Sequence, residues 1–302
     1  MYLESFTLPT ENEQYLLDKL AFHNGGQFGY IDNPYPCRIF SDRNFSEIYF
    51  KPITIFYGGN GSGKTTLLNL ISEKLELKRT APFNKSEMFG LYVKYCSYTL
   101  DCDEEGYRYR IPNGSRMITS DDVFDYMLAI RSNNDRITKK KKKVKSIWRD
   151  LVCGPEIKLT GMENYDIFRT QVFAKNMSRR KFLRKTVGLE AKLKSNGETA
   201  LLFFENKLEN NTLYCLDEPE NSLSPKLQLK LVSMIEEMAK YCRCQFIIST
   251  HSPFFLAMEG ARIFDLDSTH IEIKEWWQLE NMKIYYDFFT KRKQFFEHNF
   301  DY

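Results

Sequence analysis

The sequence has no run of apolar residues long enough to cross a membrane. No window approaches the roughly 18 uncharged apolar residues of a membrane helix. The segment 1–14 also lacks the basic-then-apolar order of a secretory signal. We therefore expect a soluble, cytoplasmic protein with no membrane partner.

Histidine is scarce and cysteine follows no recognisable spacing. The chain has four histidines, seven cysteines and no C-x-x-C. An odd number of scattered cysteines in a chain of this size indicates reduced thiols. Cys242 and Cys244 stand one residue apart and could join a metal site, but with so few histidines we interpret them as small residues at a strand edge.

Length and composition are those of a globular protein, and the charge is unevenly distributed. The 302 residues are twice a one-domain prior of roughly 150, which predicts one large domain or a core with a substantial insertion. Hydrophobic residues make up 42%, which excludes disorder and collagen-like repeats. Residues 131–194 hold 19 Lys and Arg against 6 Asp and Glu, a net of +13 in a chain of +3, so the remainder sums to −10. This asymmetry favours a polyanionic partner for the basic part.

A phosphate-binding loop is the strongest motif. Residues 58–65 read G-G-N-G-S-G-K-T and satisfy G-x-x-x-x-G-K-[ST]. The loop lies between a β-branched and aromatic run (53–57) and leucines at helical spacing (67–75), so strand, loop and helix follow in the required order. In such loops backbone N–H groups wrap the phosphates, Lys64 reaches the β- and γ-phosphates, and the Thr65 hydroxyl ligates Mg²⁺. A chance glycine turn is the alternative, and this context argues against it.

Two adjacent carboxylates follow a second buried strand. Residues 213–216 are apolar, and Asp217 and Glu218 come at the end of the run, where ligands of open α/β sheets bind. Asp217 is placed to hold the Mg²⁺ shell, and Glu218 to orient and deprotonate the attacking water. Alone, such a pair usually caps a helix. Behind a matching phosphate loop, the catalytic interpretation is stronger.

The remaining pattern predicts the other elements. A helix over 225–241 and a strand over 245–249 continue the alternation and imply a parallel sheet. A helix is also predicted over 199–208. We expect short strands and loops over 1–50 and 84–120. Behind the cap sequence at 120–122, helices should continue in pieces, with breaks near 153–155 and at Gly161.

Four ordered motifs resemble the ATP-binding-cassette (ABC) type of P-loop ATPase. Besides the phosphate loop and the acidic pair, 194–198 (K-S-N-G-E) resembles the signature loop, usually L-S-G-G-Q/E, and 249–253 (S-T-H-S-P) resembles the switch-histidine segment. Residues 220–225 match the loop after the catalytic Glu. Asp217 follows Glu198 by 19 residues and precedes His251 by 34, and both spacings fit the family.

The resemblance implies an α/β fold: an ABC-type P-loop NTPase with a mainly parallel core sheet, an N-terminal antiparallel β lobe and a helical subdomain insertion. Residues 1–120 would hold the β lobe and the phosphate-loop half of the core. Residues 121–194 would form the basic insertion, and 195–302 the second half of the core with an aromatic C-terminal helix.

The resemblance also implies ligands and a homodimer. Two protomers would sandwich two ATP molecules with Mg²⁺, each signature loop completing the other protomer's γ-phosphate site. A buried core histidine is the alternative for His251. The implied catalytic residues are Lys64, Glu218 and His251; the metal ligands are Thr65 and Asp217; the nucleotide-binding residues are Gly58, Gly59, Asn60, Gly61, Ser62, Gly63, Lys64, Thr65, Thr66, Ser195, Gly197 and Glu198.

The sequence departs from the family pattern at two places. Position 194 is Lys rather than Leu and position 196 is Asn rather than Gly. No glutamine occurs between Gln27 and Gln171, so the usual Q-loop residue is missing. Ser120, Asp121 or Asp122 could take its place.

The runs D-E-P-E-N-S-L-S-P and S-T-H-S-P-F-F resemble the soluble branch with chromosome-maintenance, recombination-repair and overcoming-lysogenization-type ATPases, including AAA-family ATPases of bacterial defence. This implies an ATPase that controls a separate effector or engages nucleic acid, in anti-phage defence or DNA maintenance. The alternative is a nucleotide-gated scaffold with slow or no hydrolysis, which the departures favour. A transporter motor subunit comes third.

Two further patterns concern partners. The basic clusters Lys139–Lys145 and Arg179–Lys185 suit salt-sensitive, sequence-independent binding of DNA or RNA, and a solvated loop is the alternative. Aromatic residues crowd the segment 276–300, and we expect most of them to pack against the core, with a few left for a protein partner.

Overall fold

The structure is a computed structural model, and it describes residues 1–22, 33–40, 45–83, 85–187, 195–268 and 270–297. The strands are β1 (Leu3–Thr7), β2 (Glu47–Tyr49), β3 (Ile53–Tyr57), β4 (Ser97–Leu100), β5 (Arg116–Thr119), β6 (Leu213–Asp217), β7 (Gln245–Ser249), β8 (Arg262–Asp265) and β9 (Glu272–Ile273). The helices are α1 (Glu11–Phe22), α2 (Lys64–Lys74), α3 (Glu87–Tyr95), α4 (Ser120–Cys153), α5 (Tyr165–Lys175), α6 (Arg179–Val187), α7 (Asn196–Lys207), α8 (Pro225–Tyr241), α9 (Pro253–Leu256), α10 (Glu280–Thr290) and α11 (Lys293–Glu297).

The chain divides into two units, residues 1–123 with 196–302 and residues 124–195. The first unit contains a six-stranded sheet in the order β5-β6-β7-β3-β8-β9. Its first five strands are parallel, and β9 pairs antiparallel with β8. Strands β3 and β7 are buried at every position, as expected for parallel strands covered on both faces. The α/β class with a mainly parallel core sheet is therefore confirmed.

A second sheet in the same unit forms the N-terminal lobe. Strands β2-β1-β4 pair antiparallel, as predicted. The buried Gln245 side chain ties this sheet to the core sheet: its Oε1 accepts the N–H groups of Tyr2 and Leu3 at 2.9 and 2.8 Å, and its Nε2 donates to Leu3 O at 2.8 Å. One amide at the start of β7 thus satisfies three backbone groups of the lobe.

Two helices replace predicted strands and loops. Helix α1 lies within the segment 1–50, and the hydroxyl and N–H of Thr10 both donate to the Glu13 carboxylate at 2.8 Å. This T-x-x-E pair starts a helix despite the aromatic surroundings. Helix α3 lies within 84–120 and begins at Ser86, whose hydroxyl accepts Phe89 N–H at 3.0 Å. The expectation of strands is wrong at both places.

The second unit is helical within its described residues. Helix α4 is continuous over 34 residues, and its five consecutive lysines are compatible with a helix because lysine has a good helix propensity. The helix ends at Cys153, before Gly154 and Pro155, as predicted. Val144, Ala174 and Phe182 form a small core shared by α4, α5 and α6.

Three elements in the second half of the core lie where the sequence predicts them. Helix α8 and strand β7 have the predicted bounds, and α7 covers nearly all of 199–208. All seven cysteines are free thiols. No helix in the described ranges is both long and apolar enough to span a membrane.

The C-terminal aromatic residues do not pack against the core as expected. Their exposed fractions run from 39% at Trp276 to 71% at Tyr286, and Phe300 lies outside the described residues. Neighbouring residues on a helix point about 100° apart, so one buried face cannot take both members of an adjacent pair. That face of α10 is filled by Met282, next to buried Leu279. The exposed residues are Trp276, Trp277, Tyr285, Tyr286, Phe288, Phe289, Phe295 and Phe296.

The replacement Gln245→Leu should lower the free energy of unfolding by about 3 kcal/mol, because three buried backbone groups lose their partner at roughly 1 kcal/mol or more each. Urea unfolding followed by circular dichroism measures the loss. Gln294→Leu, at an exposed position, is the matched control. A loss no larger than that of the control would contradict this role for Gln245.

Candidate nucleotide site

The site forms where four parallel strands end level with one another. In the sheet register Thr119 of β5 lies beside Asp217, Asp217 beside Ser249, and Ser249 beside Phe56 of β3. The residues that follow each strand therefore meet at one edge, the edge at which open α/β sheets bind ligands.

The phosphate loop wraps a cavity of about 300 Å³ at this edge, lined by Ile39, residues 60–66 and Glu218. Glycine is required at position 63, where φ is +100°. A Cβ there would also lie 2.9 Å from Ile39 Cγ2 and 3.1 Å from the Phe40 ring. Helix α2 begins at the next residue, so its N-terminal N–H groups face the loop.

The Lys64 ammonium lies inside the loop. It donates to Gly58 O at 2.6 Å and to Gly59 O at 2.9 Å, and only 5% of the residue is exposed. Burial lowers the pKa of Lys64, and the nearby carboxylates of Glu218 and Asp267 oppose this shift. Both acceptors are carbonyl groups that phosphate oxygens can replace.

Asp217 connects the ends of β6 and β7 to the first turn of α2. Its Oδ1 accepts the Thr65 hydroxyl at 3.0 Å and also the Ser249 hydroxyl. Burial raises the pKa of Asp217, and these two hydrogen bonds limit the rise. A hydroxyl and a carboxylate are oxygen ligands of the kind Mg²⁺ prefers. No cluster of three or more His, Cys, Asp or Glu able to hold a metal occurs in the described part of the chain.

Glu218 and His251 contact each other. His251 Nε2 lies 3.1 Å from Glu218 Oε1, and Asn221 Nδ2 donates to Glu218 Oε2 at 3.1 Å. Both side chains are about one-third exposed, 30% for Glu218 and 33% for His251, so this histidine does not lie in the buried core. The backbone of Glu218 is left-handed, with φ +48°, and its N–H donates to Ser249 O at 3.0 Å.

Glu220 holds the switch segment, a role that the sequence analysis missed. Its Oε1 accepts the Thr250 hydroxyl at 2.7 Å and His251 N–H at 2.8 Å. Burial raises the pKa of Glu220, and these hydrogen bonds oppose it. The backbone at His251 is therefore fixed by the loop that carries Glu218.

A second cavity of about 560 Å³ opens on the other side of Thr65 and Asp217. Ser120 and Asp121 line it, whereas the Asp122 carboxylate accepts Thr119 N–H at 2.9 Å and Ala81 N–H at 3.1 Å. Of the three candidates for the missing Q-loop residue, Ser120 and Asp121 thus lie at the cavity beside Asp217, whereas Asp122 binds backbone N–H groups.

Arg79 also lines this second cavity and was not found from the sequence. Its Nη1 donates to Asn69 Oδ1 at 2.8 Å, and its guanidinium carbon lies 4.1 Å from the centre of the Phe83 ring. Arg79 belongs to no sequence motif, so only its position in the structure identifies it as a residue of this cavity.

The predicted signature residues lie at the start of helix α7. Ser195 precedes α7, and Gly197 and Glu198 are in the first turn of that helix. Neither Gly197 nor Glu198 lines the cavity. A Cβ at Gly197 would lie 2.7 Å from Leu227 Cδ1 and 3.3 Å from Ser222 O, so packing against the 220–225 loop favours glycine. Lys194 lies outside the described residues.

Part of the chain is similar to a known ATPase domain. Residues 178–256, which include the signature, acidic and switch motifs, match the family model of an AAA ATPase domain. No curated protein matches the chain. The domain match and the strand, loop and helix order confirm the predicted resemblance to an ABC-type P-loop ATPase.

Solved structures similar to the chain include ATP-binding-cassette and SMC proteins. One is a dimeric, post-hydrolysis ATP-binding cassette bound to ADP and Pi, at 14% identity and TM-score 0.36, covering 76% of this chain and 88% of that one. Another is the SMC head domain from Thermotoga maritima, at 14% identity and TM-score 0.36, covering 91% and 99%. A third is the Smc head domain of Pyrococcus furiosus bound to the C-terminal domain of ScpA, at 13% identity and TM-score 0.36. The likeness covers 80% of this chain and 94% of that one. All three likenesses are distant.

The replacement Asp217→Asn should raise the unfolding temperature of the nucleotide-free protein at neutral pH. Folding raises the pKa of this carboxyl, so its protonated form is favoured in the folded state and its ionised form destabilises that state. Asparagine keeps an oxygen that accepts both hydroxyls but carries no charge.

The stability difference between this variant and the parent should shrink as the pH falls and Asp217 takes up its proton. Differential scanning calorimetry across pH measures it, with Glu105→Gln, at an exposed position, as the control. An Asp217→Asn protein less stable than the parent at neutral pH would contradict the raised pKa.

Proposed function

We propose that this chain is a Mg²⁺-dependent ATPase that binds ATP at the phosphate loop and hydrolyses it with Glu218 as the base. One observation carries the proposal: Lys64, the Thr65–Asp217 pair and the Glu218–His251 pair lie around the level ends of β3, β6 and β7. A phosphate anchor, a metal-binding pair and a base are the parts that hydrolysis of a nucleoside triphosphate requires.

The loop binds phosphate by charge and by backbone N–H groups. The N–H groups at the start of α2 point into the cavity, where an anion is favoured. Lys64 exchanges its two carbonyl acceptors for phosphate oxygens and needs little movement to do so. Because its charged form is penalised by burial, an anionic partner stabilises it.

The metal-binding residues are Thr65 and Asp217. When bound with ATP, Mg²⁺ neutralises charge that develops on the phosphate oxygens. Ser249 holds Asp217 through its hydroxyl, so the carboxylate is oriented from the neighbouring strand.

Glu218 takes the proton of the attacking water on a carboxylate oxygen. Asn221 holds one oxygen and His251 contacts the other, so the carboxylate plane is fixed. Glu220 in turn fixes the backbone of His251. This orientation places a base and a neighbouring imidazole beside the phosphate-loop cavity.

We further propose that two copies form the working site, with Ser195, Gly197 and Glu198 of one copy completing the γ-phosphate site of the other. The distance of α7 from its own phosphate-loop cavity supports this, since Gly197 and Glu198 do not line it. The ATP-dependent dimer would act in the cytoplasm on a separate protein effector, in anti-phage defence or DNA maintenance. The motif resemblance alone supports these cellular roles.

A nucleotide-gated scaffold is the second candidate. The absence of a Q-loop glutamine and the variant signature loop favour slow or no turnover. Ser120 and Asp121 at the cavity beside Asp217 supply polar groups in place of the glutamine, which favours hydrolysis. A transporter motor would need a separate membrane subunit.

The helical unit supports binding of DNA or RNA as a further part of the function. Val144 and Phe182 share one small core, so the basic clusters of α4 and α6 lie on adjacent helices. Lys139, Lys140, Lys142 and Lys143 are exposed, as are Arg179, Arg180, Lys181, Arg184 and Lys185. Such a surface neutralises phosphates without reading bases.

The replacement Glu218→Gln should lower kcat at least about 100-fold, because it removes the base and keeps the shape of the site. It should also trap an ATP-bound dimer. Steady-state phosphate release and light scattering with and without Mg-ATP measure the two effects.

Lys64→Ala, which should lose ATP binding, separates binding from chemistry in this experiment. Hydrolysis by Glu218→Gln at the parent rate would refute the base assignment. Assembly of the parent with ATP but without turnover would establish the scaffold instead.

Replacing Lys139, Lys140, Lys142 and Lys143 by Gln should weaken duplex DNA binding and flatten its salt dependence, by about 0.9 in the log–log slope for each lost phosphate contact. Fluorescence anisotropy at several salt concentrations measures the slope. The same change at four exposed lysines of the other unit, Lys207, Lys226, Lys230 and Lys240, is the control. An unaltered slope would exclude the α4 lysines from binding.

A further inference from the structure

Asp267 belongs to none of the motifs, yet it contacts the phosphate loop. Its carboxylate oxygens accept Gly59 N–H at 2.8 and 2.7 Å, across 208 residues of sequence. The contact follows from sheet order: β8 is the neighbour of β3, with Asp265 beside Tyr57. The turn after β8 therefore lies beside the loop after β3.

Asp267 and Lys64 hold the two ends of one peptide group. The carbonyl of Gly58 accepts the Lys64 ammonium at 2.6 Å, and the N–H of the same peptide bond, at Gly59, donates to Asp267. An ammonium on the oxygen and a carboxylate on the N–H polarise the peptide in the same sense, so each hydrogen bond strengthens the other. This peptide group cannot flip without losing both hydrogen bonds.

A buried network holds the turn that carries Asp267. The Asp265 carboxylate accepts Asp267 N–H at 3.0 Å, the Ser268 hydroxyl at 2.8 Å and the Lys274 ammonium at 2.6 Å. Burial would raise the pKa of Asp265, but the hydrogen bonds outweigh it and the pKa lies below its usual range. Asp265 therefore stays ionised and keeps its three donors, so Asp267 meets Gly59 from a fixed position.

The position of this carboxylate has an electrostatic cost for nucleotide binding. Asp267 adds a negative charge next to a loop that is to receive a polyphosphate, and like charges repel. A carboxylate in this place is useful only if the orientation that it imposes on the loop contributes more than the repulsion takes away.

We propose that Asp267 is a positioning residue for nucleotide binding, which fixes the Gly58–Gly59 peptide and so holds the start of the phosphate loop in the conformation that receives phosphate. The proposal rests on the proposed function of this loop as an ATP site. It assigns Asp267 to the binding step, because its carboxylate accepts its hydrogen bonds from the loop backbone at Gly59.

The test compares Asp267→Ala with Asp267→Asn. Alanine has no acceptor for Gly59 N–H, and the loss of one charge-assisted hydrogen bond should raise the Kd for ATP about tenfold. Asparagine retains an acceptor without the charge, so its Kd should lie within about threefold of the parent. The kcat of both variants should lie within about twofold of the parent. Asp267→Ser is a second truncation with polar character, for use if the alanine variant does not fold.

A direct readout is the Gly59 amide in protein labelled with [¹⁵N]glycine, which has 15 glycines in all. In nucleotide-free protein this signal should shift strongly in Asp267→Ala and little in Asp267→Asn, with equal unfolding temperatures. Parent-like ATP affinity in Asp267→Ala, or a fall in kcat with Kd unchanged, would overturn the proposal. Failure of the parent to bind ATP would overturn the proposed function instead, and the amide shift would still report the contact.

Discussion

The level ends of the parallel strands set the position of every charged group in the site. Strands β3, β6 and β7 are mostly apolar, and Asp217 and Ser249 are the last residues of β6 and β7. The sheet register aligns these strand ends. Asp217, Ser249 and the phosphate loop therefore lie next to one another although they are far apart in sequence. The hydrogen bonds of Asp217 to Thr65 and Ser249 then join β6 to β7 and to the first turn of α2.

In the candidate nucleotide site, the buried charges of the free protein are only partly compensated. Burial penalises the charged forms of Lys64, Asp217 and Glu220 together, and the one cation among them leans on backbone carbonyls. Such a site stores free energy that a ligand of the right charge releases on binding.

Much of the core could be predicted from sequence because its elements are bounded by unambiguous residues. The strand and glycines before Lys64, the apolar run before Asp217, and Pro225 at the start of α8 each fix a boundary locally. The aromatic content around α1 and α3 favours strands, so the sequence analysis predicts no helix there. Thr10 and Glu13 nevertheless form a capping pair that indicates the start of α1. Three features depend on sheet order and packing. They are the exposure of the C-terminal aromatic residues, the contact of Asp267 with Gly59, and the different positions of Asp121, at the cavity, and Asp122, on the backbone. No local pattern reports these.

The left-handed backbone of Glu218 bears on how this sequence can change over time. A non-glycine residue at φ +48° carries a conformational penalty of order 1 kcal/mol or more, and Gly or Asn would relieve it. Selection for thermal tolerance alone would therefore drive position 218 toward residues that cannot accept a proton. On the proposed role of Glu218 as the base, a glutamate persists there only while turnover is itself under selection, so the identity of residue 218 in related sequences would separate lineages that hydrolyse nucleotide from lineages that only bind it.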